Sequence, residues 1–209
     1  MSDAHAELTA EATWAGGGSP FAVGHKKLGM WLFIVSDALT FGALIMAYCY
    51  VRNANDWPTP FDFYPAIIFS TVMTLVLLSS SLTMVFGVAA AAKGDRAAAK
   101  KWTLVTALCG VIFIVLHAYE WNHLIHEGLR PFSSPYGTPL FGATFFTLTG
   151  LHMTHVAIGV VYLVVIAFGF GAGKYDAEDV EVSGLYWHFV DLVWMFVFPL
   201  VYLLSTNVN

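Results

Sequence analysis

Charge is what this sequence has least of: Asp, Glu, Lys and Arg together make up 11% of its 209 residues, where an ordinary soluble domain carries about a quarter. So few charges cannot clothe a water-exposed surface. Cysteine is nearly absent too. Cys49 and Cys109 both fall inside long apolar runs and share no metal-ligand spacing with each other or with nearby histidines. No basic stripe runs along the chain, which excludes nucleic acid as a partner; the net charge is −5. Much of that charge sits on Asp3, Glu7 and Glu11 and on the cluster Asp176, Glu178, Asp179 and Glu181. Residues Met1 to Lys27 lack the apolar core of a cleaved signal peptide, so the first span is expected to direct insertion itself. Internal repeats, paired broken helices of the inverted-repeat transporter kind and an amphipathic anchor are also missing.

What is abundant is hydrophobicity. Apolar residues make up 58% of the chain, with 17 Phe, 9 Tyr and 7 Trp, and mean hydropathy is +0.69. This composition predicts an all-α, polytopic membrane protein, a bundle of about five transmembrane helices with aromatic belts at the interfaces. Leu28 to Val51 holds one charge, Asp37, and as a helix it is about 36 Å long, enough for a hydrocarbon core of roughly 30 Å. Further spans are expected at 63–92, where Pro65 suits a first helical turn, at 102–125, 142–168 and 184–205. A loop rich in turn formers, Pro131, Ser133, Ser134, Pro135 and Gly137, separates the third span from the fourth.

Lys and Arg set the expected orientation. The tail 1–27 and the second and fourth loops hold Lys26, Lys27, Lys93, Arg96, Lys100, Lys101 and Lys174, against Arg52 and Arg130 on the other side. This predicts a cytoplasmic N-terminus and an external C-terminal tail, 206–209.

Function is sought among the few polar groups within the membrane, because an ionisable side chain in hydrocarbon costs several kcal/mol or more unless protein, water or a partner receives it. Asp37, Glu120 and Asp191 are the carboxylates inside spans, and all three are expected to point inward. His117 and His123 lie three residues either side of Glu120, His188 lies three before Asp191, and His152 and His155 make another such pair. Glu-x-x-His beside His-x-x-His is the spacing of di-iron bundles, although such a centre wants about four carboxylates and a second Glu-x-x-His. A proton path through the carboxylates and histidines is a second reading. A buried hydrogen-bond network that orients the helices accounts for the same residues. Thr149, Gly150, Gly159, Gly110, Gly142 and the run Ser79, Ser80, Ser81 read as small packing residues.

Two long motifs, FFTLTGLHMTHVAIG at Phe145 to Gly159 and YWHFVDLVW at Tyr186 to Trp194, resemble subunit III of the haem-copper oxygen reductases. GMWLFIVSDALTF in the first span and LHAYEW in the third accompany them, in matching order over about Lys27 to Ser205. Many cytochrome c oxidase versions carry Glu where Asp37 stands, whereas ubiquinol oxidase versions also show Asp. The larger family form has seven helices, and this chain begins at what looks like the third; five-helix forms occur as well.

The resemblance implies a non-catalytic subunit of a proton-pumping terminal oxidase of aerobic respiration, in the bacterial inner membrane. Its implied partners are oxidase subunits I and II, membrane phospholipids and further respiratory-complex subunits. Haem and copper are expected in the partners and no cofactor or metal in this chain, which shows neither the ligand-histidine pattern of subunit I nor the paired Cys of a dinuclear copper site. Asp37, Glu120, His152, His155, His188 and Asp191 carry over as the buried polar set, a proton antenna or lining of a lipid cleft. Cytochrome c is favoured slightly over quinol as electron donor. A ubiquinol oxidase subunit III or a nitric-oxide-reductase-associated homologue is the alternative. A membrane metalloenzyme and a proton-coupled transporter are the alternatives of another class.

Overall fold

The computed structural model describes residues 24–207; most of the expected N-terminal tail and residues 208–209 of the C-terminal tail lie outside that range. Five long helices dominate it: α1 His25–Asn53, α2 Ile68–Ala92, α3 Arg96–His126, α4 Pro139–Gly171 and α5 Ala177–Val197. Each is long and apolar enough to cross a membrane, and the protein is an all-α membrane protein.

Helix ends differ from the apolar runs because polar caps carry the helices past them. α3 starts at Arg96 rather than Trp102, since the Asp95 carboxylate accepts from the Ala98 amide at 2.9 Å. α5 starts at Ala177 rather than Gly184, behind a capping box in which the Asp176 and Asp179 side chains each accept from the other's amide at 3.0 Å. α4 starts at Pro139, behind the Thr138 hydroxyl. Gly94, Gly128 and Gly173 follow α2, α3 and α4 with positive φ, closing each helix at the position where glycine alone is unstrained.

Two prolines interrupt the regular helix within spans that still start at Phe63 and end at Ser205. Around Pro65 the chain forms a short π-helical turn, Phe63–Ile67, with Tyr64 extended, so regular α2 begins at Ile68 rather than 63. Pro199 has no N–H to donate, and α5 gives way there to a π turn, Phe198–Tyr202, and a 3₁₀ turn, Leu203–Ser205.

α2, α3, α4 and α5 pack in sequence order, α5 closes back onto α2, and α1 lies against α5 and α4. The centre is aromatic, with Trp187, Trp194 and Phe113 fully buried. Trp187 fits between α3 and α4 because Gly110 and Gly159 face it: a Cβ on Gly110 would stand 2.5 Å from Trp187 Cη2, and one on Gly159 3.0 Å from Cζ3. Both indoles donate to α2, Trp187 Nε1 to Ser80 Oγ at 2.8 Å and Trp194 Nε1 to Thr74 Oγ1 at 2.9 Å. The outer surface is apolar, as with Leu32, Leu39 and Met46, each at least 64% exposed.

At one end Lys26 pairs with Asp179 at 2.7 Å and Lys27 with Glu181 at 2.8 Å, joining the starts of α1 and α5. At the other, Arg52 donates to the Leu204 carbonyl and Tyr48 to that of Leu200. There β1 Phe61–Asp62 pairs in parallel with β2 Thr206–Asn207, tying the α1–α2 connection to the C-terminal segment.

Candidate functional site

Among the described residues the carboxylates Glu120, Asp37 and Asp191 anchor three clusters inside the bundle, each built from more than one helix. In the first, Glu120 of α3 is 8% exposed and both of its oxygens are taken. Ser70 of α2 donates to Oε1 at 2.6 Å and Tyr202 of the π turn after α5 donates to Oε2 at 2.6 Å. His117 Nδ1 lies 3.9 Å from Oε2. Glu120 also borders a cavity of about 350 Å3, shared with Phe61, Asp62, Phe69, Tyr119 and His123.

Behind Glu120 the interior is aromatic. His117 and His152 are fully buried, and neither ring nitrogen of either residue has a hydrogen-bond partner among the described residues. Aromatic contacts hold them instead: His152 stacks on Trp194 with centroids 4.9 Å apart, and His117 on Phe113 at 5.6 Å. Phe113 meets His152 edge-on.

The second cluster joins α1 to α4. His155 Nε2 lies 3.2 Å from Asp37 Oδ2. Its Nδ1 is 2.8 Å from the Leu151 carbonyl, which can only accept, so Nδ1 carries a proton. Tyr186 donates to the His155 carbonyl at 3.0 Å, which places α5 against the pair.

The third cluster joins α2 to α5. The Ser81 hydroxyl donates to Asp191 Oδ2 at 2.6 Å and contacts His188 Nδ1 at 3.1 Å. A hydroxyl has one proton to give, so His188 Nδ1 is the donor in the second contact. Asp191 Oδ1 is buried without a partner.

The two histidines around Glu120 meet different surroundings, His117 the buried interior and His123 the cavity rim. His123 points outward, its side chain 67% exposed, and faces Glu127 at 3.3 Å. The reason is helical geometry: His117 and His123 are six residues apart, and at about 100° per residue their directions differ by roughly 120°. His152 and His155 likewise belong to different clusters. Among the described residues, no three His, Cys, Asp or Glu side chains come together in a metal-ligand arrangement, and Cys49 and Cys109 are free thiols. The spacing of a di-iron bundle therefore does not become a site.

The hydroxyl partners escaped the sequence reading. Ser70 and Tyr202 carried no pattern pointing to Glu120, and Ser80 and Ser81, read as small packing residues, receive an indole N–H and serve Asp191. The one available signal was a run of three serines in an otherwise apolar span.

A profile for cytochrome c oxidase subunit III matches residues 1–206. Among named proteins, cytochrome c oxidase subunit 3 of Bacillus sp. (strain PS3) is 34% identical over 186 residues, 87% of this chain and 86% of that protein. Cytochrome c oxidase subunit 3 of Thermostichus vulcanus is 34% identical over 200 residues, covering 90% and 95%. A probable quinol oxidase subunit 3 of Staphylococcus aureus (strain USA300) is 30% identical over 187 residues, covering 86% and 89%.

Proposed function

This chain belongs to the cytochrome c oxidase subunit III family, and from its place as a haem-copper oxidase subunit III we propose a supporting rather than a catalytic role in oxygen reduction. In that role it packs beside oxidase subunits I and II, which hold the haem and copper, keeps phospholipid in place and sustains proton uptake during turnover. The observation that carries the reading is the separation of the polar groups into three clusters, each paired within its own helices. Such groups can hold a bundle together or exchange protons, and among the described residues they do not converge as a metal's ligand set.

Two features support the division of labour. An apolar groove of about 290 Å3 runs between α1 and α5, lined by Phe41, Ile45, Phe189, Val193 and Phe196, a shape and chemistry suited to an acyl chain. Asp37 and His155 lie beside it through Phe41, whose ring meets that of His155 at 5.2 Å, and they are the pair we assign to proton exchange. Glu120, beside its cavity, is the second such group.

The excess of Lys and Arg at the end shared by the start of α1 and the turns after α2 and α4 supports an N-terminus inside a bacterial cell membrane. Cytochrome c is the favoured electron donor, in line with the slightly higher identity to the relatives named cytochrome c oxidase; the quinol alternative rests on the Staphylococcus aureus relative. A redox spectrum of the purified complex decides between them by its haem types and by the presence or absence of dinuclear copper.

The functional experiment uses Asp37→Ala and Glu120→Ala complexes. Both are expected to reduce oxygen at first and then to lose activity, proton pumping or bound lipid sooner than the parent during long turnover. Variants that match the parent in all three respects refute the supporting role of these residues.

A further inference from the structure

The groove between α1 and α5 does not end where its apolar part ends. Its α1 wall holds Ala38, Gly42 and Ile45, and a second cavity of about 270 Å3 follows one turn further on, with Cys49 and Arg52 in its wall. These five residues succeed one another at steps of four and three, so they form one stripe along the helix. The opposite wall runs the same way, from Phe189, Val193 and Phe196 of α5 to Leu204 of the 3₁₀ turn. The two cavities are successive parts of one groove, apolar near mid-membrane and polar at the C-terminal end of α1.

Among the described residues, Arg52 is the one charged side chain that lines the polar part, and no carboxylate pairs with it. One of its five N–H donors goes to the Leu204 carbonyl at 2.6 Å, which holds the guanidinium at the end of the groove. Its other N–H groups and the exposed carboxamide of Asn53 beside it have no protein acceptor among the described residues. Depth sets what can lie there. Arg52 stands in the last turn of α1, and Gly42 and Ala38 lie about 15 and 21 Å deeper at 1.5 Å per residue; one leaflet of a roughly 30 Å hydrocarbon core is about 15 Å deep. A cation at the interface above an apolar channel one leaflet long is complementary to an amphiphile with an anionic head and a hydrocarbon tail. A partner helix does not fit. Over the roughly 10 Å from Ala38 to Ile45, a volume of about 290 Å3 leaves a channel narrower than a helix, whose diameter is about 10–12 Å.

We propose that this groove holds one phospholipid of the leaflet at the C-terminal end of the bundle, its phosphodiester on the Arg52 guanidinium and one acyl chain between α1 and α5. The planar fork of Arg matches two phosphate oxygens, and Asn53 adds an amide donor. The inference rests on the proposed lipid-holding role and names the headgroup contact that gives the lipid its position.

The test counts phospholipids retained by the intact complex, by native mass spectrometry after a graded detergent wash. Two variants address the two ends of the groove. Arg52→Gln removes the charge but keeps an amide N–H for the Leu204 carbonyl, so the tie between α1 and the C-terminal segment persists. Gly42→Leu fills the apolar part, where a Cβ meets nothing within 4 Å. Each should lose one phospholipid per chain, retention falling roughly tenfold at a given detergent concentration, the scale of a lost charge-assisted hydrogen bond. Arg52→Lys, which keeps the charge, should fall between Arg52→Gln and the parent, and Arg130→Gln, outside the groove, should match the parent. Parent-like retention in Arg52→Gln and Gly42→Leu overturns the proposal and leaves the lipid-holding role standing; a parent complex that retains no phospholipid overturns both. Loss in only one of the two variants, or an equal loss in Arg130→Gln, also overturns the proposal.

Discussion

Replacing Tyr202 by Phe removes one oxygen from the centre of the protein and little else. The Tyr202 ring is fully buried, stacked on Phe61 with centroids 5.0 Å apart and packed against Phe145 at 5.6 Å, and Phe keeps these contacts. What disappears is the 2.6 Å hydrogen bond to Glu120 Oε2; Ser70 continues to serve Oε1. A hydrogen bond to a charged group contributes about 1.5–3 kcal/mol in soluble proteins, but interhelical bonds inside membranes average about 0.6 and reach about 1.7 kcal/mol. The short distance and full burial place this one in the upper part of the membrane range, so Tyr202→Phe should cost about 1–1.7 kcal/mol. That is roughly a five- to eighteenfold change in the unfolding equilibrium. Reversible unfolding in mixed detergent–SDS micelles measures it. A double-mutant cycle with Glu120→Leu isolates the pairwise contribution, because Leu keeps much of the side chain's bulk and offers no oxygen to either hydroxyl. A coupling near zero, with Tyr202→Phe as stable as the parent, would refute the claim that this carboxylate is held by the two hydroxyls.

Gly110→Val forces its side chain toward Trp187 and Val160, which a Cβ would meet at 2.5 and 2.6 Å. It should cost about 1–3 kcal/mol by overpacking. Gly29→Ala, with nothing within 4 Å, should gain up to about 1 kcal/mol, and the reverse order in the same unfolding assay would count against the packing described. Asp176 lies ahead of α5, where the Asp179 amide, and then Lys26, hold its carboxyl below the usual range. Its stabilising contribution is therefore present above the ordinary Asp value of about 3.9 and lost as pH falls through the lower folded value. Amide protection factors in the first turn of α5 should be steady from about pH 5 upward and drop below about pH 4, and Asp176→Asn should remove that acid step; equal protection at both extremes argues against the cap. A tag after Asn209 should be reached only from outside the cell, and cytoplasmic access alone would overturn the proposed orientation.

The five helices were readable because membrane solvation demands long apolar runs, and 58% hydrophobic residues leave few other arrangements. Their ends were less so. α3 and α5 extend into polar sequence behind Asp95 and Asp176, the second of them first read only as charge, while Pro65 and Pro199 interrupt runs whose hydropathy is unbroken. The carboxylates announced themselves by their cost in hydrocarbon. Their partners did not, because Ser81 and Asp191 are 110 residues apart and only the packing of α2 on α5 brings them together. His117 and His123 flank Glu120 on opposite sides, and the bundle buries the first and leaves the second at the rim of the Glu120 cavity, beside Glu127. Tyr202 reaches Glu120 from the π turn that Pro199 introduces, a geometry no apolar periodicity encodes.

The central claim, that these helices are a subunit III whose chemistry belongs to its neighbours, is tested most directly by purifying the chain gently from native membranes through an affinity tag. The account predicts that haem-bearing chains co-purify in fixed proportion, that the reduced-minus-oxidised spectrum shows their haems, and that the chain holds neither haem nor copper once separated from them. A chain that purifies alone, or that keeps a redox metal after separation, would contradict it.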